Sequence, residues 1–181
     1  NDGGTMRMTN VTTLATYMGT KITGGSLVYL ASSGAISDGT ASVAFTQFDA
    51  SKYDHYEFWF QDLLPVTDNV SLLARLSTDA GSNYDATNGN YHSNGSSDQT
   101  GLLIAPNVGS ASNEYGLGGF WNLNSPHLAT YTMAMGQITY NLATSSTGSA
   151  NGNSHYAAIH LAAQDADAVL FLFSSGNIES G

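Results

Sequence analysis

Between His55 and Asp62 the chain alternates with a period of two: Tyr56, Phe58 and Phe60 fall on one side, and His55, Glu57, Trp59 and Gln61 on the other. Successive side chains of a strand point to opposite faces. The segment therefore predicts a strand with an aromatic face against a core and a second face turned outward. Val70 to Ser77 repeats the pattern through Val70, Leu72, Ala74 and Leu76, and Ser42 to Phe48 alternates as well. Ala168 to Phe173 is an unbroken apolar run, expected as a central strand buried on both faces. Thr100 to Ala105, Tyr115 to Leu123, Ala129 to Met135, Gln137 to Leu142 and His155 to Leu161 complete the expected strands.

Strong helix formers do not cluster, and 20 Gly with many Ser, Thr and Asn divide the chain into short segments. Loops are expected at Thr78 to Asp98, Pro106 to Asn113 and Ala143 to Asn153. Short strands without crossover helices predict an all-β fold, an antiparallel β-sandwich of jelly-roll-like type. Its core is expected to contain Tyr56, Phe58, Phe60, Leu72, Leu76, Val169 and Phe171. Residues 1–38, with a Thr- and Met-rich stretch at Thr5 to Ala15 and a strand at Ser26 to Ala31, read as an arm or linker. Residues 39–181 read as the sandwich, and no internal repeat is visible.

Only 10% of the 181 residues are charged, against about a quarter in a typical soluble protein. The net charge is −10, with Arg7, Lys21, Lys52 and Arg75 the only fixed cations. Nucleic-acid binding needs clustered Lys and Arg to neutralise phosphates, so it is excluded, as is an anionic membrane surface. Absence of Cys removes disulfides, thiolate metal sites and a Cys nucleophile. No stretch approaches the ~20 apolar residues that span a bilayer, so membrane insertion is not expected. The opening residues show no charged segment followed by an apolar one, so no signal peptide is expected.

Chemistry-bearing residues are dispersed. His55, His92, His127, His155 and His160 could be paired with Asp49, Asp54 or Asp98, but no serine lies in a Gly-x-Ser-x-Gly elbow. Glu57, Glu114 and Glu179 are the only glutamates, and most aspartates sit in turn contexts, so paired carboxylates for glycoside hydrolysis are not evident. No catalytic residue and no cofactor are expected. The loop Asp79 to Asn90 is rich in oxygen ligands, which makes Asp79, Asn83 and Asp85 candidates for Ca²⁺. It lacks EF-hand spacing, and an Asx-turn hairpin fits the same residues. Trp59, Tyr84, Tyr91, Tyr115 and Trp121 are candidate interface or ligand-contacting aromatics, with Phe120 beside them.

The run Phe48-Asp49-Ala50-Ser51-Lys52-Tyr53-Asp54-His55-Tyr56-Glu57-Phe58-Trp59-Phe60 continues through Leu64-Pro65-Val66-Thr67-Asp68 to Ser77-Thr78-Asp79-Ala80-Gly81. Together with Phe171 to Gly181, it resembles β-sandwich modules of tailed-phage and prophage virion proteins, of tail-fibre-like and head-fibre-like kinds. The resemblance covers about a third of the chain and leaves Asp98 to Tyr156 unmatched. It implies a structural surface or appendage component, located on a virion outside the cell. The implied partners are copies of itself, other virion proteins and a host surface glycan. A carbohydrate-binding jelly-roll module is the alternative, and a polysaccharide depolymerase a further one. The resemblance also implies a strand of Arg-Leu-Tyr-Gly type beyond Gly181, so an unpaired sheet edge is expected at the end of the chain.

Overall fold

A computed structural model describes residues 27–94, 96–111, 114–142 and 151–181, and none of these residues is helical. The chain divides into a unit Asn1–Leu30 and a unit Ala31–Gly181. Of the first, only residues 27–30 are described, and they form no strand. The expectations for Thr5 to Ala15 lie outside the described residues. The expected strand at Ser26 to Ala31 is not found over residues 27–31.

The strands of the second unit are β1 (Val43–Phe45), β2 (His55–Pro65), β3 (Val70–Ser77), β4 (Tyr91–Ser93), β5 (Ser96–Gln99) and β6 (Leu102–Val108). They continue with β7 (Leu117–Asn124), β8 (Thr132–Asn141), β9 (Asn151–Ser154), β10 (Ala157–His160), β11 (Ala168–Phe173) and β12 (Ile178–Ser180). One sheet is four-stranded in the order β1-β11-β3-β6. The other is eight-stranded, in the order β12-β2-β7-β8-β10-β4-β5, with β9 on β8. Their pairings are antiparallel, and the fold is the expected all-β sandwich.

The core follows from the alternation. Tyr56, Leu72, Leu76, Val169 and Phe171 are buried, and Phe58 and Phe60 pack against them from β2. Phe171 of the smaller sheet meets Phe58 at 5.0 Å, Phe60 at 5.1 Å, Trp121 at 5.8 Å and Phe45 at 6.2 Å between ring centroids. These contacts are edge-on, the arrangement that the ring quadrupole favours.

Several expectations are corrected. Ala129 to Met135 and Gln137 to Leu142 are not two strands: β8 runs through Gly136 without a break. Gly136 pairs with Trp121, and a Cβ there would lie 2.4 Å from the Phe120 carbonyl oxygen and 2.8 Å from Trp121 Cα. That glycine permits close strand approach and does not mark a turn. β11 is central in its sheet and buries Val169, Phe171 and Phe173 on its inward side and Ala168 on the other, but Leu170 and Leu172 on that other side are only half-buried. β4 lies within a segment expected as a loop, and β5 and β9 lie in such segments but for their last residues, because short polar strands carry no apolar period.

Residues 31–38 belong to the same compact unit as the sandwich strands, Ala31–Gly181. Ile36 packs against the core and donates its backbone N–H to the Gly181 carbonyl at 2.7 Å. At the end of the chain β12 stands at the edge of its sheet, with a single bridge between Thr40 and Ile178 on its other side. β12 pairs with β2, and Ile178 N–H donates to the Thr40 carbonyl at 2.8 Å.

Candidate functional site

The outward residues of β2 fall in register with those of its neighbours. Trp59 pairs with Phe120, Phe120 with Gln137, Glu57 with Asn122 and Asn122 with Met135. Met133 pairs with Asn124 on one side and Ile159 on the other, and Met135 with Ala157. These pairs make one continuous outer face across β2, β7, β8 and β10, set by the pleat alone. Trp59 is 70% exposed, and Met133 and Met135 are each 56% exposed. Among these register-paired positions, Glu57 is the one carboxylate and there is no Lys or Arg; the exposed acids Asp62, at the bulge of β2, and Glu179, on β12, lie farther along the sheet. Glu57 Oε1 accepts a hydrogen bond from Trp59 Nε1 at 2.7 Å. The Trp59 and Phe120 rings stand 5.7 Å apart with planes inclined by 42°. An aromatic pair joined to methionines, almost free of charge and surrounded by neutral amides, has the chemistry of a contact surface.

The aromatic candidates divide. Trp59 lies on the outer face, and Tyr115 is 78% exposed just before β7. Trp121 and Tyr91 are 1% and 0% exposed, which corrects their expected role as interface or ligand contacts. Both point inward by strand parity: Trp121 is one residue out of phase with Phe120, and Tyr91 pairs with inward-facing His160. Burial pushes the Tyr91 hydroxyl well above the usual phenol value, against the hydrogen bond from Leu76 N–H. Tyr84 is half-buried, folded back over Gly81. Burial, then the charges of Asp167 and Asp79, raise its pKa.

The loop after β3 forms Asx-type turns. Asp79 Oδ1 accepts from Asn83 N–H at 2.8 Å, and Oδ2 from Asn83 Nδ2 at 2.7 Å. These bonds hold the Asp79 carboxyl below its usual value. Asp85 Oδ1 accepts from Thr87 N–H, while Oδ2 accepts from Asn90 Nδ2 and faces His160 Nε2 at 3.0 Å. The loop carboxylates are thus engaged with neighbouring protein groups, and the described residues gather no cluster of three or more His, Asp or Glu suited to a metal.

His160 has a partner that its sequence context does not reveal. It is buried, stacks on Tyr91 at 4.6 Å and contacts Asp85, which lies 75 residues away in sequence. Thr132, its register neighbour, completes the composition of a charge-relay triad. Yet Thr132 Oγ1 and His160 Nδ1 are buried with no hydrogen-bond partner, so they are not bonded to each other. A nucleophile sealed in the core and unbonded to its base lacks the arrangement that acyl transfer requires.

Burial works to raise the Asp85 carboxyl, but hydrogen bonds involving His160, Asn90 and Thr87 outweigh it and hold the group well below the usual carboxylate range. A group depressed in this way stabilises the fold fully above its unfolded pKa, near ~3.9. That contribution is lost as pH falls through the folded value. Asp85→Asn is expected to cost about 2 kcal/mol at neutral pH, the scale of hydrogen bonds to a charged group. It is also expected to lose less stability than the parent between about pH 4 and pH 2. Urea unfolding of both proteins across that range checks this; identical acid dependence would contradict it.

No protein-family model, no curated protein and no solved structure matches the chain.

Proposed function

We propose that this chain is a structural component of a bacteriophage particle, a surface or appendage protein that works by assembly and attachment, outside the cell and without catalysis. The observation that carries the binding role is the outer face of the eight-stranded sheet across β2, β7, β8 and β10, where Trp59, Met133 and Met135 are exposed and Glu57 is the one carboxylate among the paired positions. The phage context is supported by the resemblance of Phe48 to Gly81 and Phe171 to Gly181 to virion sandwich modules.

Charge narrows how copies can meet. With a net charge of −10, copies repel one another at neutral pH. A stable contact between them must therefore bury neutral surface. The methionine end of the outer face, formed by Met133, Met135 and Ile159, supplies such a surface. Methionines adapt their shape to a partner, and they are enriched at interfaces from which charge is depleted. In this reading the methionine end packs against a neighbouring copy, and the aromatic end remains available for attachment.

The virion role is tested by electron microscopy of phage particles from the source culture, labelled with a gold-conjugated antibody raised against the purified protein. Label on intact tailed particles is expected. Label confined to the soluble fraction would overturn the reading.

A further inference from the structure

The aromatic end of the outer face has features that a simple packing surface does not need. Trp59 is presented at 70% exposure while its ring nitrogen is tied to Glu57 Oε1 at 2.7 Å. The indole is thereby fixed over the sheet before any partner arrives, which lowers the entropy cost of binding. Phe120 stands beside it on β7 at 5.7 Å. Gln137 follows on β8, and Asn122 lies on the same side of β7, paired with Glu57. Among the described residues, the Asn122 and Gln137 amides make no hydrogen bond with a protein partner. Trp59, Phe120 and Gln137 occupy adjacent strands, so they span roughly 10 Å, about the length of a disaccharide.

From this juxtaposition we infer that the Trp59–Phe120 platform binds a neutral glycan. The inference rests on the proposed attachment role of this face and names its ligand class. An indole and a phenyl ring offer apolar planes on which the C–H faces of pyranose rings stack. The solvated amides of Asn122 and Gln137 each offer both donors and an acceptor to sugar hydroxyls, fixing orientation. Charge selects among glycans: the paired positions of the face carry no Lys or Arg, and the Glu57 carboxylate is bonded to the edge of the indole. Uronic or sialic acids would meet a carboxylate with nothing to neutralise them, whereas a neutral sugar meets no penalty. Glu57 has Asn122 as its register partner and Trp59 as its hydrogen-bond donor, so it is not paired with a second acid as glycoside hydrolysis requires. The glycan is held without being cleaved.

Tryptophan emission reports on the site directly. The chain has two Trp, of which Trp121 is buried and Trp59 exposed. The full chain is titrated with cellohexaose, mannohexaose and chitohexaose, with hexagalacturonate as the anionic probe. At least one neutral hexamer is expected to shift the emission to the blue with saturation below about 10 mM. Trp59→Ala is expected to weaken binding tenfold or more, roughly the loss on truncating a central aromatic anchor. Trp59→Phe should retain part of the affinity, and Asn122→Ala should weaken binding several-fold with the aromatic rings intact. Because Trp59→Ala and Trp59→Phe both remove the exposed reporter, their binding is read by calorimetry, with circular dichroism confirming the fold.

Light scattering separates this inference from the assembly reading. The Trp59→Ala variant should keep the parent's solution mass. The inference is overturned if no neutral hexamer binds, if affinity survives Trp59→Ala, or if hexagalacturonate binds as tightly as the neutral sugars. A fall in mass on Trp59→Ala would also overturn it, by placing the indole in the contact between copies.

Discussion

Phe171→Ala should cost about 3–5 kcal/mol, the range for removing a buried phenylalanine. It should leave the protein largely unfolded at growth temperature, since domains of this kind hold only about 5–15 kcal/mol in total. The ring is the point at which the two sheets meet: it touches Phe45 within its own sheet and Phe58, Phe60 and Trp121 of the other. Its removal would leave a cavity bordered by rigid rings in a small and a large sheet, neither of which can easily close it. Leu172→Ala, on the half-buried outer side of the same strand, should cost less than about 1.5 kcal/mol. Denaturant unfolding of the two variants decides the matter, and equal losses would show that the ring cluster is not the centre of the core.

Gly136→Ala is expected to be comparably severe, at about 3 kcal/mol or more, although it adds a single methyl group. The new Cβ would meet the Phe120 carbonyl oxygen at 2.4 Å and Trp121 Cα at 2.8 Å, both of them backbone atoms of β7. Neither can move without separating β7 from β8, the pairing that carries the outer face on one side and Trp121 on the other. Gly118→Ala is the control in the same strand pair. Its Cβ would find only the Phe60 carbonyl oxygen, at 3.5 Å, an ordinary contact, so a change within about 0.5 kcal/mol is expected. Thermal melts of both variants suffice; a Gly136→Ala protein as stable as the parent would remove the structural role assigned to that glycine.

These two residues also show where sequence is informative. Phe171 is legible as core because it lies in an apolar run with strand character, and β3 and β11 were bounded by their own composition. Gly136 misleads, because a glycine that allows close packing and one that makes a turn look alike in one dimension. The same ambiguity sent Trp121 to the surface: Gly118 and Gly119 precede it like a loop, whereas strand parity buries it. Tyr91 carries no inward signal in the sequence because β4 is three residues long and otherwise polar. Trp59 was legible as outward-facing because its strand alternates cleanly. The methionines were not, since Thr132-Met133-Ala134-Met135 places small residues inward and large apolar ones outward, the reverse of the usual pattern. Only the register with Asn122 and Asn124 reveals that Met133 and Met135 continue the face of Trp59. The Asp85–His160 contact, spanning 75 residues, leaves no local trace at all.

The claim that this protein works through the nearly uncharged outer face across β2, β7, β8 and β10 is tested most directly by its solution mass. Light scattering is measured at low salt and at about 1 M salt, where electrostatic reach shrinks to ~3 Å. The parent is compared with a Met133→Glu, Met135→Glu double variant. Both substitutions fall at exposed positions, so circular dichroism should show an intact fold. The parent should be a multimer of the chain in both salts, because neutral surface and not charge pairs holds it together. The double variant should be a monomer, since it places like charges at the contact. A monomeric parent in both salts, or a double variant of unchanged mass, would contradict the assignment of this face to assembly.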